Sequence, residues 1–479
     1  MNAVLLNSLV AAPFVVALLV MLVGRRDQGS GVGLGVVGSL AVLGWSVAAV
    51  LEDRSVDEVW IASMDVHWHL VLDGISAPMI LLTTLVTFCC QVALVRHAPD
   101  CGGRADLAAL LLLIESGVIG AFLAADMVLF FLFFEVALIP MWFVINAWGD
   151  PHDPAGRRYA ANRFLVFTVL GSALMIVGFV LVRFESGTFD ITQVSGASAT
   201  AAALVGIGLA VKTPLWPVHI WLPDAHAKAP TVGSVILAAL LLKLGTYGFI
   251  RFWLPLVDPD SAILPVFAAL ATVGIVYGAL ACLAQTELKR LIAYSSVGHM
   301  GFVVLAVASY TTIGVQAAIY ASVAHGLITG LLFFAAGAIK DRYGTGDLHE
   351  LKALYGAVPR LAGVLAFASV ASLGLPGLAG FWGEMLAIRA ALFPHEALPQ
   401  ETFVVLSVIA AFGVILTSAY FLRMMRITLQ GPTLSEPKAD LHALEWLAWS
   451  PLLILTVLLG VAPGLLLKPV ADAMAGVLR

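Results

Sequence analysis

Apolar residues in this chain neither alternate in pairs nor recur as the narrow stripe of a soluble helix. They run on for about twenty residues at a time between short polar segments. A helix needs about 20 mostly apolar residues to cross the hydrocarbon core of a bilayer. Fourteen stretches meet that length: residues 5–23, 32–51, 75–95, 107–123, 128–148, 164–182, 201–221, 232–252, 262–283, 291–308, 313–338, 361–392, 403–424 and 447–467. The first lacks a leading positive charge and ends in Gly24-Arg25-Arg26 rather than at a small-residue cleavage site. It is therefore expected to be a permanent span and not a removable signal. The pattern predicts an all-α polytopic membrane protein forming a single membrane domain over residues 1–479.

Composition strengthens this reading. Of 479 residues, 61% are hydrophobic and 11% charged, against roughly 25% charged in a soluble domain. A water-facing surface cannot be covered with so few charges. The net charge of −5 favours no partner, and no basic run suggests nucleic acid. The placement of the charges is more informative. Alternate loops hold Arg25-Arg26, Arg96 and Arg104, Arg157-Arg158 and Arg163, Lys228, Lys289-Arg290, Lys340 to Arg360, and Arg423 to Lys438. About 17 of the 25 basic residues thus lie on one side, which the positive-inside rule assigns to the cytoplasm. Both termini are then expected on the exterior side of a cell inner (cytoplasmic) membrane. Cys89, Cys90, Cys101 and Cys282 have no zinc or iron–sulfur spacing and read as small apolar side chains and a loop thiol.

Two of the spans contain proline within apolar sequence: Lys212-Thr213-Pro214-Leu215-Trp216-Pro217 and Leu375-Pro376-Gly377-Leu378-Ala379-Gly380. Proline removes a backbone donor and clashes with the preceding turn. Lipid cannot satisfy the carbonyls this frees, so such breaks survive only against protein or trapped water. They fall in the seventh and twelfth spans. Broken helices at matching positions predict two repeats, spans four to eight (107–252) and nine to thirteen (262–424). With five helices each, consecutive repeats must be inverted. Three helices in residues 1–106 precede them and one helix in 447–479 follows.

A charge at mid-bilayer costs from ~3 to over 10 kcal/mol, so ionisable residues inside spans are functional candidates. Four stand out: Glu135 behind Phe130-Phe131-Leu132-Phe133-Phe134, Lys212 at the first break, Lys243 within Leu240-Leu241-Leu242-Lys243-Leu244, and Glu384 just past the second break. Static ion pairs could account for any one of them. All four together are better explained by a path. Burial drives a lysine to release its proton and a carboxylate to take one up, and pairing opposes both. A lysine able to reach alternative partners is then a proton switch. His299 and His325 lie inside spans and could relay protons through their two nitrogens. His219 and His226 flank a loop, and Glu115 sits in the fourth span; with His299 and His325 these form a second tier. Asp126 reads as a helix boundary.

The sequence has no nucleotide-binding loop, no dinucleotide fingerprint and no paired haem or metal ligands. No redox cofactor or metal is expected in this chain, so the driving force must come from partners.

Several stretches carry a family resemblance. They are Phe134-Glu135-Val136-Ala137-Leu138-Ile139-Pro140-Met141 with Asn146-Ala147-Trp148-Gly149, Lys212-Thr213-Pro214 through His219-Ile220-Trp221-Leu222-Pro223-Asp224-Ala225-His226, Ala229-Pro230-Thr231-Val232-Gly233-Ser234, Ile292-Ala293-Tyr294-Ser295-Ser296-Val297-Gly298-His299-Met300-Gly301 and Ala324-His325-Gly326-Leu327. Together they resemble the antiporter-like, proton-pumping membrane subunits of respiratory complex I, the NADH-quinone oxidoreductase, and its relatives. Leu138-Ile139-Pro140 and Glu384 are similar to one branch; other branches typically carry lysine at the latter place. The chain's end soon after the fourteenth span leaves no room for the long lateral helix of another branch.

The resemblance implies that Glu135 pairs with Lys212 in one half-channel. Lys243 would stand at the centre, and His299 and His325 would carry protons toward Glu384. It also implies that NADH, FMN, iron–sulfur clusters and quinone belong to partner subunits. Related machines share these residues, among them membrane-bound hydrogenases, other donor dehydrogenases and Mrp-type cation/proton antiporters. Glu384 weighs against the Mrp type. A non-conducting membrane scaffold is the alternative of a different class.

Overall fold

The computed structural model describes residues 2–96, 102–431 and 438–474; Cys101, read above as a loop thiol, lies outside them. In chain order the elements begin with α1 (Asn2–Gly24), α2 (Gln28–Ala49), the strands β1 (Arg54–Ile61) and β2 (Val66–Leu72), and α3 (Ser76–Leu94). Next come α4 (Arg104–Leu123), α5 (Met127–Val136), α6 (Leu138–Trp148), α7 (Pro154–Ser186), α8 (Ala199–Lys212) and α9 (Leu222–Lys228). The span Thr231–Leu256 contains α10 (Thr231–Ile236) and α11 (Leu242–Gly248) with wide π-helical turns at Leu237–Leu241 and Phe249–Trp253. Then follow α12 (Ile263–Ala284), α13 (Leu288–Ala308), α14 (Thr312–Tyr343), α15 (Leu354–Ala357), α16 (Pro359–Ser372), α17 (Ala379–Leu392), α18 (Gln400–Leu429), α19 (Ala443–Val461) and α20 (Gly464–Ala473). Among the described residues twelve helical stretches are long and apolar enough to cross a membrane. The broken pairs α8/α9 and α16/α17 bring the passes to the fourteen read from the sequence.

Local chemistry sets the ends. Asp27, Asp126, Asp153, Ser198 and Thr311 each accept hydrogen bonds from the first turn of the helix they precede, satisfying donors that have no partner within the helix. Asp126 is thus the helix boundary expected. The two longest helices, α7 with 33 residues and α14 with 32, both end in a left-handed glycine, Gly187 and Gly344. Each long helix is followed by a broken one, so the order of elements in 104–256 recurs in 263–429.

The apolar middles of the span Thr231–Leu256 and of α14 are buried throughout and form the core. α1, α2, α7, α12, α18 and α19 surround them and expose apolar side chains such as Phe14, Val37, Val166, Ile415 and Ile454. Outer helices reach the core through small residues. A Cβ on Gly278 of α12 would lie 2.9 Å from the Gly298 nitrogen and 3.0 Å from the Tyr294 carbonyl of α13, so only glycine permits that approach.

At the first break, Trp221 Nε1 donates to the Val211 carbonyl (2.9 Å), and Leu215 N donates to Ala210 O (2.9 Å). At the second, Leu373 N donates to Ser369 O (3.0 Å), and Trp382 Nε1 crosses to Gly460 O of α19 (2.8 Å). The orphaned backbone groups are satisfied inside the protein, as the bilayer requires.

Three local features depart from the sequence reading. The fifth span is interrupted at Ala137, because Pro140 cannot donate to the Val136 carbonyl. The last span ends at Val461 rather than near 467, stopped by Pro463 and followed by the separate α20. The segment after α2, read only as an acidic loop, is an antiparallel hairpin with Asp57 opposite His69. It is pinned across the end of the bundle. Ala125 N donates to His69 O, His67 N donates to Asp126 Oδ2, and His69 Nδ1 meets Asp190 Oδ2 at 3.2 Å.

Two groups of this cap have opposite pH signs. Burial would raise the Asp190 carboxyl, but hydrogen bonds from His69, Thr192 and Gln193 outweigh it and hold it well below the usual carboxylate range. Its contribution to stability is present above about pH 4 and lost as pH falls through the depressed value. Asp190→Asn should therefore cost about 1–3 kcal/mol at neutral pH, read by thermal unfolding of the purified chain in detergent. The His67 imidazole is held above its ordinary value by its hydrogen bond to Asp57. That stabilisation is full below about pH 6.5 and lost as pH rises through the raised value. The stability difference between wild type and Asp57→Asn should accordingly be larger at pH 6 than at pH 9.

Candidate functional site

The buried charges form two groups. In the first, Glu135 occupies the last turn of α5, immediately before the interruption at Ala137. It is half-buried, and its Oε1 is shielded without a hydrogen-bond partner. Lys212 is the final residue of α8, so the break in the seventh pass places its ammonium in the interior. Nζ makes no hydrogen bond; it lies 4.7 Å from the centre of the Phe134 ring and 5.6 Å from that of Phe164. The ring faces attract the cation electrostatically. The direct pair with Glu135 implied by the family resemblance is not formed; the neighbouring Phe134 ring holds the lysine instead.

The second group is a connected chain. Lys243 is completely buried two residues past the first wide turn. Its Nζ donates to the Ala238 carbonyl within that turn (2.9 Å) and stands 2.6 Å from His325 Nδ1 on α14. The His325 and His299 rings lie 5.6 Å apart, centre to centre. On α13, His299 Nδ1 meets Glu384 Oε1 at 2.8 Å, and His299 Nε2 meets Ser372 Oγ at 3.0 Å. Ser372 ends α16 and Glu384 lies in α17, so the second break brackets His299 from both sides.

Between the two imidazoles lies a cavity lined by His299, His325, Thr329, Ser372 and Glu384, with about 20 Å³ open to a water-sized sphere. That is room for one water. His325 Nε2 and Thr329 Oγ1, both without protein partners, give it polar anchors.

Of the second-tier residues, His299 and His325 are members of this chain of contacts, whereas Glu115, His219 and His226 are buried but lie outside it. Glu115 has neither oxygen hydrogen-bonded. His219 packs edge-on against Tyr277 with both nitrogens unpartnered. His226, also with both nitrogens unpartnered, stacks on Phe333 at 4.4 Å and 8°.

Residues 124–417 match the family described as NADH:quinone oxidoreductase/Mrp antiporter, TM. That stretch contains every member of both groups. The chain belongs to this family. NADH-quinone oxidoreductase subunit M of Pseudomonas aeruginosa is 40% identical over 436 residues, covering 88% of this chain and 84% of the relative. The subunit M of Rhodobacter capsulatus is 38% identical over 442 residues, covering 88% and 83%. A chain of respiratory complex I from Thermus thermophilus with bound NADH superposes with a TM-score of 0.86 at 30% identity, over 99% of this chain and 100% of that one.

Within this family member, sequence reasoning missed several polar residues. Ser372 and Thr329 carry no charge and looked like helix-packing groups, although Ser372 stands only four residues before Pro376. Arg251 of the second wide turn is partly buried and paired with Asp73, and its Nε donates to Tyr247 Oη (3.1 Å). Arg163 and Arg290, read as orientation charges, both bind the Asp224 carboxylate. This clamp ties α9, which carries His226, to α7 and α13. Asp224→Ala should release it, leaving the Arg163 guanidinium unpaired and Arg290 with only Glu287 at 3.9 Å, at a cost of about 1–3 kcal/mol. Thermal unfolding of the purified chain would show the loss; Asp224→Glu should recover part of it.

Proposed function

We propose that this chain is the proton-translocating membrane subunit of a NADH-quinone oxidoreductase, and that Lys243, His325, His299 and Glu384 are its conducting core. The observation that carries this reading is the chain of short contacts from Lys243 to Glu384, 2.6 Å at one end and 2.8 Å at the other, with room for one water between. A scaffold could be stabilised with apolar or small residues in these places at lower desolvation cost. The identity to subunit M relatives supports the parent complex.

Each group has a definite part. Lys243 delivers a proton from Nζ to His325 Nδ1, and the imidazole releases the one on Nε2 toward the cavity; taking a proton on one nitrogen and giving it from the other is what imidazole does. His299 passes it to Glu384, while Ser372 orients the ring. Lys212 and Glu135 supply Lys243. With Lys212 over Phe134, its charge is held by rings; moving to Glu135 would fix its proton more firmly, and the exchange between these partners is the switch.

The two broken helices would belong to inverted five-helix repeats, each providing one half-path. The chain would lie in the inner membrane with both termini outside. NADH oxidation and quinone reduction would take place in partner subunits that hold the FMN and iron–sulfur clusters.

In inverted membrane vesicles containing the assembled complex, Lys243→Ala and Glu384→Gln should each lower NADH-driven proton pumping more than about twofold. Coupled NADH oxidation should slow with it. Wild-type pumping in both variants would sink the reading.

A further inference from the structure

Lys289 was counted above among the loop charges because it begins a span beside Arg290. The structure buries it to 5% exposure, whereas Arg290 stays half-exposed on the Asp224 clamp. Its Nζ donates to the Ala229 carbonyl, the C-cap of α9, at 3.0 Å. Lys289 also lines a large cleft on the face that carries the basic loops. The cleft offers about 400 Å³ and is bordered by Trp148, Asp150, His152, Lys340 and Asp341. That volume holds several waters.

What lies behind Lys289 gives it meaning. His226 is three residues before Ala229 on the same short helix. It is completely buried with both nitrogens unpartnered, and its ring stacks on Phe333 of α14 at 4.4 Å. The same helix carries His325, which touches Lys243. The cleft, Lys289, the α9 helix with His226, and the α14 helix with the Lys243–His325 contact therefore adjoin one another in that order. An unpartnered buried imidazole is costly as mere packing, and here its own helix is held by one lysine and its ring packs on the helix that holds the partner of the other.

We propose that Lys289 is the inlet group of a direct proton route from the cleft through His226 to Lys243, separate from the Glu135–Lys212 pair. Lys289 takes a proton from water in the cleft and gives it to a nitrogen of His226. His226 gives one from its other nitrogen to the unprotonated Lys243, which leaves His226 as its other neutral tautomer; a turn of the ring resets it, and Lys289 is reprotonated from the cleft. No oxidant or further reactant is required. The charges acting on Lys289 are those of Lys340 and Asp341 at the end of α14, Glu287 before α13, and Asp150 after α6. With a carboxylate at each of these three elements, the cleft can collect protons while Lys340, bound to Asp150 at 3.0 Å, limits the attraction. The route rests on the functional reading above.

The bland reading is that Lys289 only clamps α9 to α13. Arginine separates the two, because a guanidinium can still donate to the Ala229 carbonyl but cannot release its proton. In vesicles containing the assembled complex, Lys289→Arg should leave the amount of complex unchanged and lower NADH-driven pumping about threefold or more. Wild-type pumping in Lys289→Arg would overturn the proposal. Should arginine prevent assembly, Lys289→Ala serves with added amines: restoration by methylamine but not by guanidinium supports the inlet. Equal restoration by both, or by neither, overturns it. Lys243→Ala, measured alongside, separates the two levels. If it pumps normally the functional reading fails; if it fails to pump while Lys289→Arg is normal, only the inlet fails.

Discussion

Satisfying polar groups without water is the constraint from which the rest of this structure follows. In a bilayer a free carbonyl or a lone charge has nowhere to turn except to the protein itself. Each departure from regular helix here comes with an internal partner. The break after Lys212 is closed by an indole, the break after Ser372 by backbone donors, and the first wide turn by an ammonium. Irregular backbone and buried charge occur together because each supplies what the other lacks.

This coupling explains the unequal character of the two groups. Around Glu384 the polar atoms are mutually matched: His299 engages Glu384 and Ser372 at once, and a small polar cavity separates it from His325. Around Lys212 they are not, and aromatic faces take the place of hydrogen bonds. A cation held by ring faces is bound less firmly than one held by a carboxylate. Under the proposed function, the first group would suit exchange between partners and the second transfer along a fixed line. The family described as NADH:quinone oxidoreductase/Mrp antiporter covers both.

The passes, the two broken helices and the principal charges were legible in the sequence because each rests on a one-dimensional signal. Apolar run length marks a span, proline within a run marks a break, and a lone Lys243 or Glu384 in such a run has no cheap alternative. The misses share a different cause. The hairpin at 54–72 lies between spans, where its alternation was overshadowed by acidic loop character. Ser372 and Thr329 matter only through what they face across the bundle. Lys289 looked solvated because it adjoins Arg290, and helix geometry turns these neighbours to different sides. The wide turns left no mark, since a π-helical turn has no composition of its own.

Those wide turns have a consequence for how the central helix is indexed. Each π-helical turn accommodates a residue beyond the count of an ordinary turn. One such turn stands before Lys243 and another after it. The lysine's direction is thus decoupled from the angular phase of both helix ends. Straightening the first turn would rotate the Lys243 side chain by roughly 100° relative to α10, away from His325, while leaving the helix equally apolar and nearly the same length. The core has a phase as well as a composition, and the surplus residues keep it in step.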